Sequence, residues 1–263
     1  DNVRAFAYQA VIGGVKGNVA EEEIQTLATA IASVDAVINP APAGGGTDTA
    51  TVDQMFEFGP AQIGHRGRAL TCEDFEWLTR EASREVALVR CLPNLNRDGE
   101  FELGWVTVLI VPNFRDQDEP KSPFEMRRSI RRELEKRSLV SVANPRPTQI
   151  IVKSPEYQRI GVSIEVYVTS IDDVAEADRK VREKLQEFFH PLKGGPENKG
   201  WRFGRNVSVS DVYRVLEDVS KVDHVRSLKF VIGDEFKILD VVEIDDNKIV
   251  SNGEHEVNVK VVN

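Results

Sequence analysis

From Gly161 to Thr169 apolar residues alternate with mostly polar ones, and Val162, Ile164, Val166 and Val168 fall on one side. A period of two marks a strand with one buried face. Across residues 104–111 the pattern differs: Val106, Val108 and Ile110 share one face, while Trp105, Leu109 and Val111 share the other. A strand apolar on both faces is a central one, covered above and below. Further apolar runs predict strands at 85–92, 148–153, 224–232, 237–244, 248–250 and 256–262, and an extended segment at 3–12. Residues 94–99 are rich in turn formers.

Elsewhere the apolar spacing is helical. Thr71-Cys72-Glu73-Asp74 resembles a capping box with a short third-position carboxylate, followed by Phe75, Leu78 and Ala82 on one face. Ser122-Pro123-Phe124-Glu125 reads as a second capping box, with proline at the first helical position, where its missing N–H costs nothing. Met126, Ile130 and Leu134 then line one face to about Arg137. Asp172 or Asp173 can cap a helix whose inner face is Val174, Val181, Leu185 and Phe188 and which Pro191 ends. After a Gly/Pro-rich loop at 193–204 and the stretch 207–210, Val212, Val215, Leu216 and Val219 face inward on another helix. A short helix at 47–58, started by Thr47 or Asp48, is expected to stop at Gly59-Pro60. Residues 21–38 fit a helix through Ile24, Leu27, Ile31 and Val34, and their last five fit a strand equally well.

The order α-β-β-α-β, then β-α-α-β-β-β, indicates an α+β fold: two small sandwich-like units with mixed or antiparallel sheets and helices on one face. The expected division is an extended arm at 1–48, a first α+β domain at 49–155 and a second at 156–263. Within the arm, Asn39-Pro40-Ala41-Pro42-Ala43-Gly44-Gly45-Gly46 combines fixed proline φ with glycine freedom, as linkers do.

Composition narrows the function classes. The 263 residues hold 34 Lys+Arg against 43 Asp+Glu, a net charge of −9. Such a surface repels phosphate backbones. No apolar run approaches the roughly 18 residues of a membrane span. Cys72 and Cys91 are too few for a disulfide framework or a cysteine-based zinc site, and each reads as a packed side chain. His65, His190, His224 and His255 are scattered without metal-ligand spacing. Residues 234–246 lack the spacing of a calcium loop, and Gly13-Gly14-Val15-Lys16-Gly17 lacks that of a phosphate loop. No catalytic, cofactor or metal residue is therefore assigned.

Two basic clusters remain. Arg127, Arg128, Arg131, Arg132, Lys136 and Arg137 crowd one helix among Glu125, Glu133 and Glu135, with Arg131–Glu135 and Glu133–Arg137 spaced for i, i+4 pairs. Mixed signs favour a solvated or protein-binding face over nucleic acid. His65-Arg66-Gly67-Arg68 precedes the capped helix, and its arginine forks suit acidic patches on a partner.

A longer set of residues carries a family resemblance. It comprises Gly17-Asn18-Val19, the arm from Ile38 to Asp48, and the block Phe58-Gly59-Pro60-Ala61-Gln62-Ile63-Gly64-His65-Arg66-Gly67-Arg68 running on through Thr71 to Leu78. Val89 to Pro93, Gly104 to Val108, Phe203 to Tyr213 and Ser251-Asn252-Gly253-Glu254-His255 extend it. In this order the blocks resemble the baseplate J-like proteins, baseplate assembly proteins of contractile phage tails and related injection systems. The resemblance implies a structural, non-enzymatic wedge subunit without cofactor, joined to a second related wedge protein and to sheath, tube and spike components in a six-fold hetero-oligomeric ring. It implies cytoplasmic assembly into a phage or tail-like particle, with no contact to nucleic acid and no membrane insertion. Family members are usually longer, so this chain, opening at Asp1, is expected to be a C-terminal part. Candidate subunit-interface residues are Asn39, Pro40, Gly44, Gly45 and Gly46 of the arm, with Arg66, Arg68, Arg128 and Arg132. The rival classes are a stand-alone protein-binding adaptor and a tail-associated cell-wall hydrolase.

Overall fold

The computed structural model describes residues 51–138, 149–233 and 235–262, with positions 19, 22–29, 31, 34, 36–40, 48 and 49. The expectations for 3–12 and 13–17 and the interface candidates Gly44, Gly45 and Gly46 lie outside these residues. The chain divides into two compact units, Asp1–Gly64 and His65–Asn263.

In the first unit the described residues of 19–40 form neither helix nor strand. Asn39 ties this segment to itself: its carbonyl accepts from the Glu22 N–H at 3.0 Å and its Oδ1 from the Ile24 N–H at 2.9 Å. The helix α1 spans Val52–His65 and runs through Gly59-Pro60 instead of ending there. Proline removes one ladder hydrogen bond, but its φ is already helical, so the residues beyond it can continue the helix.

The second unit contains an α+β arrangement built on two principal sheets. Its first layer has α2 (Cys72–Ala82), β1 (Val86–Leu95), β2 (Phe101–Pro112), α3 (Phe124–Arg137) and β3 (Ile150–Lys153). The sheet order is β1-β2-β3, antiparallel and then parallel. As its pattern requires, β2 is central. Val108 and Ile110 pack with Phe75 and Leu78 of α2 and Ile130 and Leu134 of α3, while Val111 joins the other core.

The α2 capping box forms, Thr71 Oγ1 accepting from the Asp74 N–H at 3.2 Å and Asp74 Oδ2 from the Thr71 N–H at 2.8 Å. The second expected box does not. Pro123 is the N-cap of α3, without a side-chain bond. Ser122 instead joins Ser154 beyond β3, with its N–H 2.9 Å from Ser154 Oγ and the two hydroxyl oxygens 2.8 Å apart. A tertiary partner has taken the hydroxyl that the local motif needed.

The second layer comprises β4 (Glu156–Val168), α4 (Val174–Phe189), β5 (Val207–Ser208), α5 (Val209–Glu217), β6 (His224–Ile232), β7 (Glu235–Lys237), β8 (Val241–Val242), β9 (Lys248–Asn252) and β10 (Glu256–Val261). The sheet runs β10-β4-β6-β7, and β9 pairs with the first part of β4. Thus β9 and β10 lie successively along β4, both parallel to it, and the chain steps out between them at Gly253, Glu254 and His255. The expected strand at 237–244 splits. β7 closes the sheet edge, and β8 pairs with β5, which holds the start of α5 in place. Neither Asp172 nor Asp173 caps α4 through its side chain; Ser170 Oγ accepts from the Asp172 N–H at 3.3 Å and caps a single 3-10 turn before it.

Val181, Leu185, Phe188 and Phe189 of α4, with Val212 and Leu216 of α5, cover Ile160, Val162, Ile164 and Val166 of β4. The Gly/Pro-rich loop is anchored by Trp201, fully enclosed, whose Nε1–H donates to the Phe188 carbonyl at 2.8 Å and whose ring meets that of Phe188 edge-on. A buried indole needs such an acceptor, because an unpaired N–H there carries its full desolvation cost.

Candidate interaction surfaces

His65 organises the turn that carries the first arginine pair. Its ring is buried, Nδ1 accepts from the Gly67 N–H at 2.9 Å and its carbonyl from the Arg68 N–H at 2.8 Å. Arg66 and Gly67 both adopt left-handed backbone, with φ of 49° and 72°. The result presents Arg66 and Arg68 to solvent on a short, internally bonded turn.

On α3, Arg128 and Arg132 are exposed one turn apart. Arg128 stands 3.9 Å from Glu125. The surrounding charges are largely matched: Arg131 meets Glu135 at 2.7 Å as expected, whereas Glu133 takes Lys136 at 2.6 Å and Arg137 crosses to Glu81 of α2 at 2.8 Å. Arg137 therefore links two helices and does not pair with Glu133. Asn39 and Pro40 belong to the first unit, where Asn39 is spent on holding Glu22 and Ile24. The structure sets Arg66 beside Arg68 and Arg128 beside Arg132.

Two surfaces escaped the sequence reading. One is an open groove of about 870 Å³ between the loop after β2, the end of α4 and the β9–β10 step, with Glu119, Arg159, Glu187, His190 and Asn252 among its walls. Arg159 grips Glu119 through Nε and Nη2 at 2.6 and 3.0 Å, and this pairing holds the Glu119 carboxyl below its ordinary range against the opposing effect of burial. Asn252 Nδ2 donates to the Gln186 carbonyl at 2.9 Å. His255 Nδ1 accepts from the Val162 N–H at 3.2 Å, so Nε2 carries the proton and faces Asn252 Oδ1 at 3.3 Å. Burial, helped by the Arg182 charge, pushes the His255 pKa down to about 4. Burial likewise lowers the His190 pKa, and Lys193 adds to the effect. These imidazoles are neutral hydrogen-bonding supports. The groove's geometry suits recognition through charges and amides.

The second surface is apolar. From the edge strand β7 to β8, Phe236, Ile238, Leu239 and Val241 are 54%, 81%, 40% and 44% exposed. Four large apolar side chains in six residues exceed the scattered exposure of an ordinary surface. Its sequence signal is the apolar run at 237–244, whose spacing predicts a strand. Among the described residues no group of three metal-ligating side chains occurs, and no helix is long and apolar enough to cross a membrane.

No protein-family profile matches the chain, and no curated protein matches it. Among solved structures it is similar to a chain of the anti-feeding prophage baseplate, determined by cryo-electron microscopy with 6-fold symmetrisation. The TM-score is 0.58 at 20% identity, over 88% of this chain and 47% of the other. The likeness is one of α+β fold, and the present chain spans about half the length of that neighbour.

Proposed function

We propose that this chain is part of a structural baseplate subunit of a contractile, phage tail-like injection system, acting by protein–protein contact and not by catalysis. The supporting observation is the fold shared with a chain of a prophage baseplate over 88% of the present sequence. The ordered residue blocks around His65 to Leu78 point the same way. In this reading the chain belongs to a wedge, pairs with a second related wedge protein, and links neighbouring wedges to sheath, tube and spike parts in a six-fold ring. The arm at 1–48 and the domains 49–155 and 156–263 supply separate contact surfaces. Assembly takes place in the cytoplasm, before the particle is complete.

The surfaces suit that role. Asn39, Pro40 and the glycines Gly44, Gly45 and Gly46, the turn bearing Arg66 and Arg68, and the α3 pair Arg128 and Arg132 are proposed subunit contacts. Several modest contacts act together in a closed ring, because each one made raises the effective concentration of the next. Replacing Arg66 and Arg68 with Glu is expected to leave the chain folded, by circular dichroism, and to block incorporation into baseplates. Particles of unchanged yield and shape by electron microscopy would overturn the assignment of this turn.

A further inference from the structure

The turn between β1 and β2 is held in one shape by a single side chain. Asn96 Oδ1 accepts from the Asp98 N–H at 3.0 Å and from the Glu100 N–H at 2.9 Å, and its Nδ2 donates to Glu102 Oε2 at 3.1 Å. The Asn96 N–H donates in turn to the Glu100 carbonyl at 3.0 Å. This fixed hairpin end carries Phe101 and Leu103, 75% and 74% exposed. Two positions apart in one strand, they share a side. Ahead of them the side chains of Asp98 and Glu100 are exposed and have no ion pair among the described residues. The tip is thus an acidic, apolar knob whose shape is set before it binds, which lowers the ordering cost of docking.

A matching surface lies on the same chain. Phe124, Arg128, Arg132 and Lys136 recur every four residues along α3, and all are exposed. That spacing makes them one stripe on the helix. Phe124 is 65% exposed. Arg128 meets Glu125 at 3.9 Å and Lys136 meets Glu133 at 2.6 Å, while Arg132 has no ion pair among the described residues. On a chain of net charge −9, three cations in line with an exposed ring are a local exception. Both surfaces stand open in the single chain, so the tip does not cover its own α3.

We infer that the β1–β2 tip of one copy docks on the α3 stripe of a second copy. Phe101 and Leu103 cover Phe124, and the acidic turn faces Arg128 and Arg132. Tip and stripe are different surfaces, so the contact is head-to-tail and repeats from copy to copy until a ring closes. The inference rests on the reading of Arg128 and Arg132 as subunit contacts and gives them their partner.

The test is sedimentation equilibrium of the purified chain. In low salt its weight-average mass should rise with concentration, and roughly 0.5 M salt should reduce that rise. Asp98→Lys with Glu100→Lys leaves the backbone bonds to Asn96 in place and should weaken self-association about tenfold or more, because like charges then meet. Arg128→Glu with Arg132→Glu should do the same. An equimolar mixture of these two variants pairs opposite charges again at both surfaces and should restore association. Phe101→Ser with Leu103→Ser should weaken it as well. A parent chain that stays monomeric to about 1 mM would overturn the inference. So would self-association that neither charge reversal weakens, or two variants with the parent's circular dichroism spectrum that fail to associate when mixed. If Arg128→Glu with Arg132→Glu blocks entry into baseplates while the parent chain is monomeric, the self-contact fails and the subunit reading stands.

Discussion

Arg159 in β4 holds Glu119, which lies beyond β2 and forty positions away, through two hydrogen bonds of 2.6 and 3.0 Å. The same carboxylate accepts from Ser251 Oγ at 3.4 Å, and nearby Tyr157 donates its hydroxyl proton to the Pro120 carbonyl at 2.6 Å. These bonds fasten the loop after β2 to the second sheet and shape one wall of the groove. A guanidinium fork matches a carboxylate edge to edge, a geometry that lysine cannot reproduce.

The pairing sets a pH dependence. The folded-state pKa of Glu119 lies below its ordinary 4.5, so the contribution is present above that value and is lost as pH falls through the depressed one. Glu119→Gln is expected to lower Tm at neutral pH, and its difference from the parent chain should close in strong acid. A gap that persisted unchanged in acid, by calorimetry, would show that the charge is not what stabilises the contact.

His255 adds a second, separate window. Its pKa falls from 6.5 to about 4 on folding, so the unfolded chain binds the extra proton. Stability from this residue is therefore complete above 6.5 and declines as pH drops toward 4. The linkage amounts to about 3 kcal/mol across the window. Urea unfolding of His255→Gln should show a flatter pH profile there than the parent, while the depressed carboxylates act mainly at lower pH.

The step between β9 and β10 depends on Gly161. A Cβ built there would lie 1.9 Å from the Glu254 carbonyl oxygen, a backbone atom with no side chain to yield. Gly161→Ala is expected to cost about 3 kcal/mol, the upper end of ordinary overpacking. Urea titration should show that loss in the midpoint, and a change of less than a third of it would mean that the step can shift outward.

The edge strand allows a contrasting experiment. Phe236 and Ile238 face solvent, so replacing both with Ser should change unfolding free energy by no more than about 0.5 kcal/mol. Solubility should rise, read as a higher ammonium sulfate concentration at precipitation. A large loss of stability would show instead that these side chains are packed in solution.

Much of the fold could be read from spacing. The alternation through Val162, Ile164, Val166 and Val168 placed a half-buried strand where β4 lies. The two-faced run at 104–111 identified the central β2, and Thr71 with Asp74 marked the start of α2. These features are local: period, cap and turn act over one or two turns of chain, and the residues involved are near one another before folding.

Where the reading failed, a distant partner decided. Ser122 looked like a cap until Ser154 took its hydroxyl. Arg137 was spaced for Glu133 but pairs with Glu81. The apolar run at 237–244 predicts one strand, yet Val241 and Val242 pair with Ser208 and Val207, leaving Phe236 in the edge strand β7 and Ile238 exposed between β7 and β8.

The sequence by itself determined many of the elements and the α+β class, because hydrophobic period is a property of neighbours in the chain. Only the tertiary structure joined Glu119 to Arg159 and seated His255 under the β4 backbone. Such pairings depend on which surfaces the packed layers press together, and no local pattern records that choice.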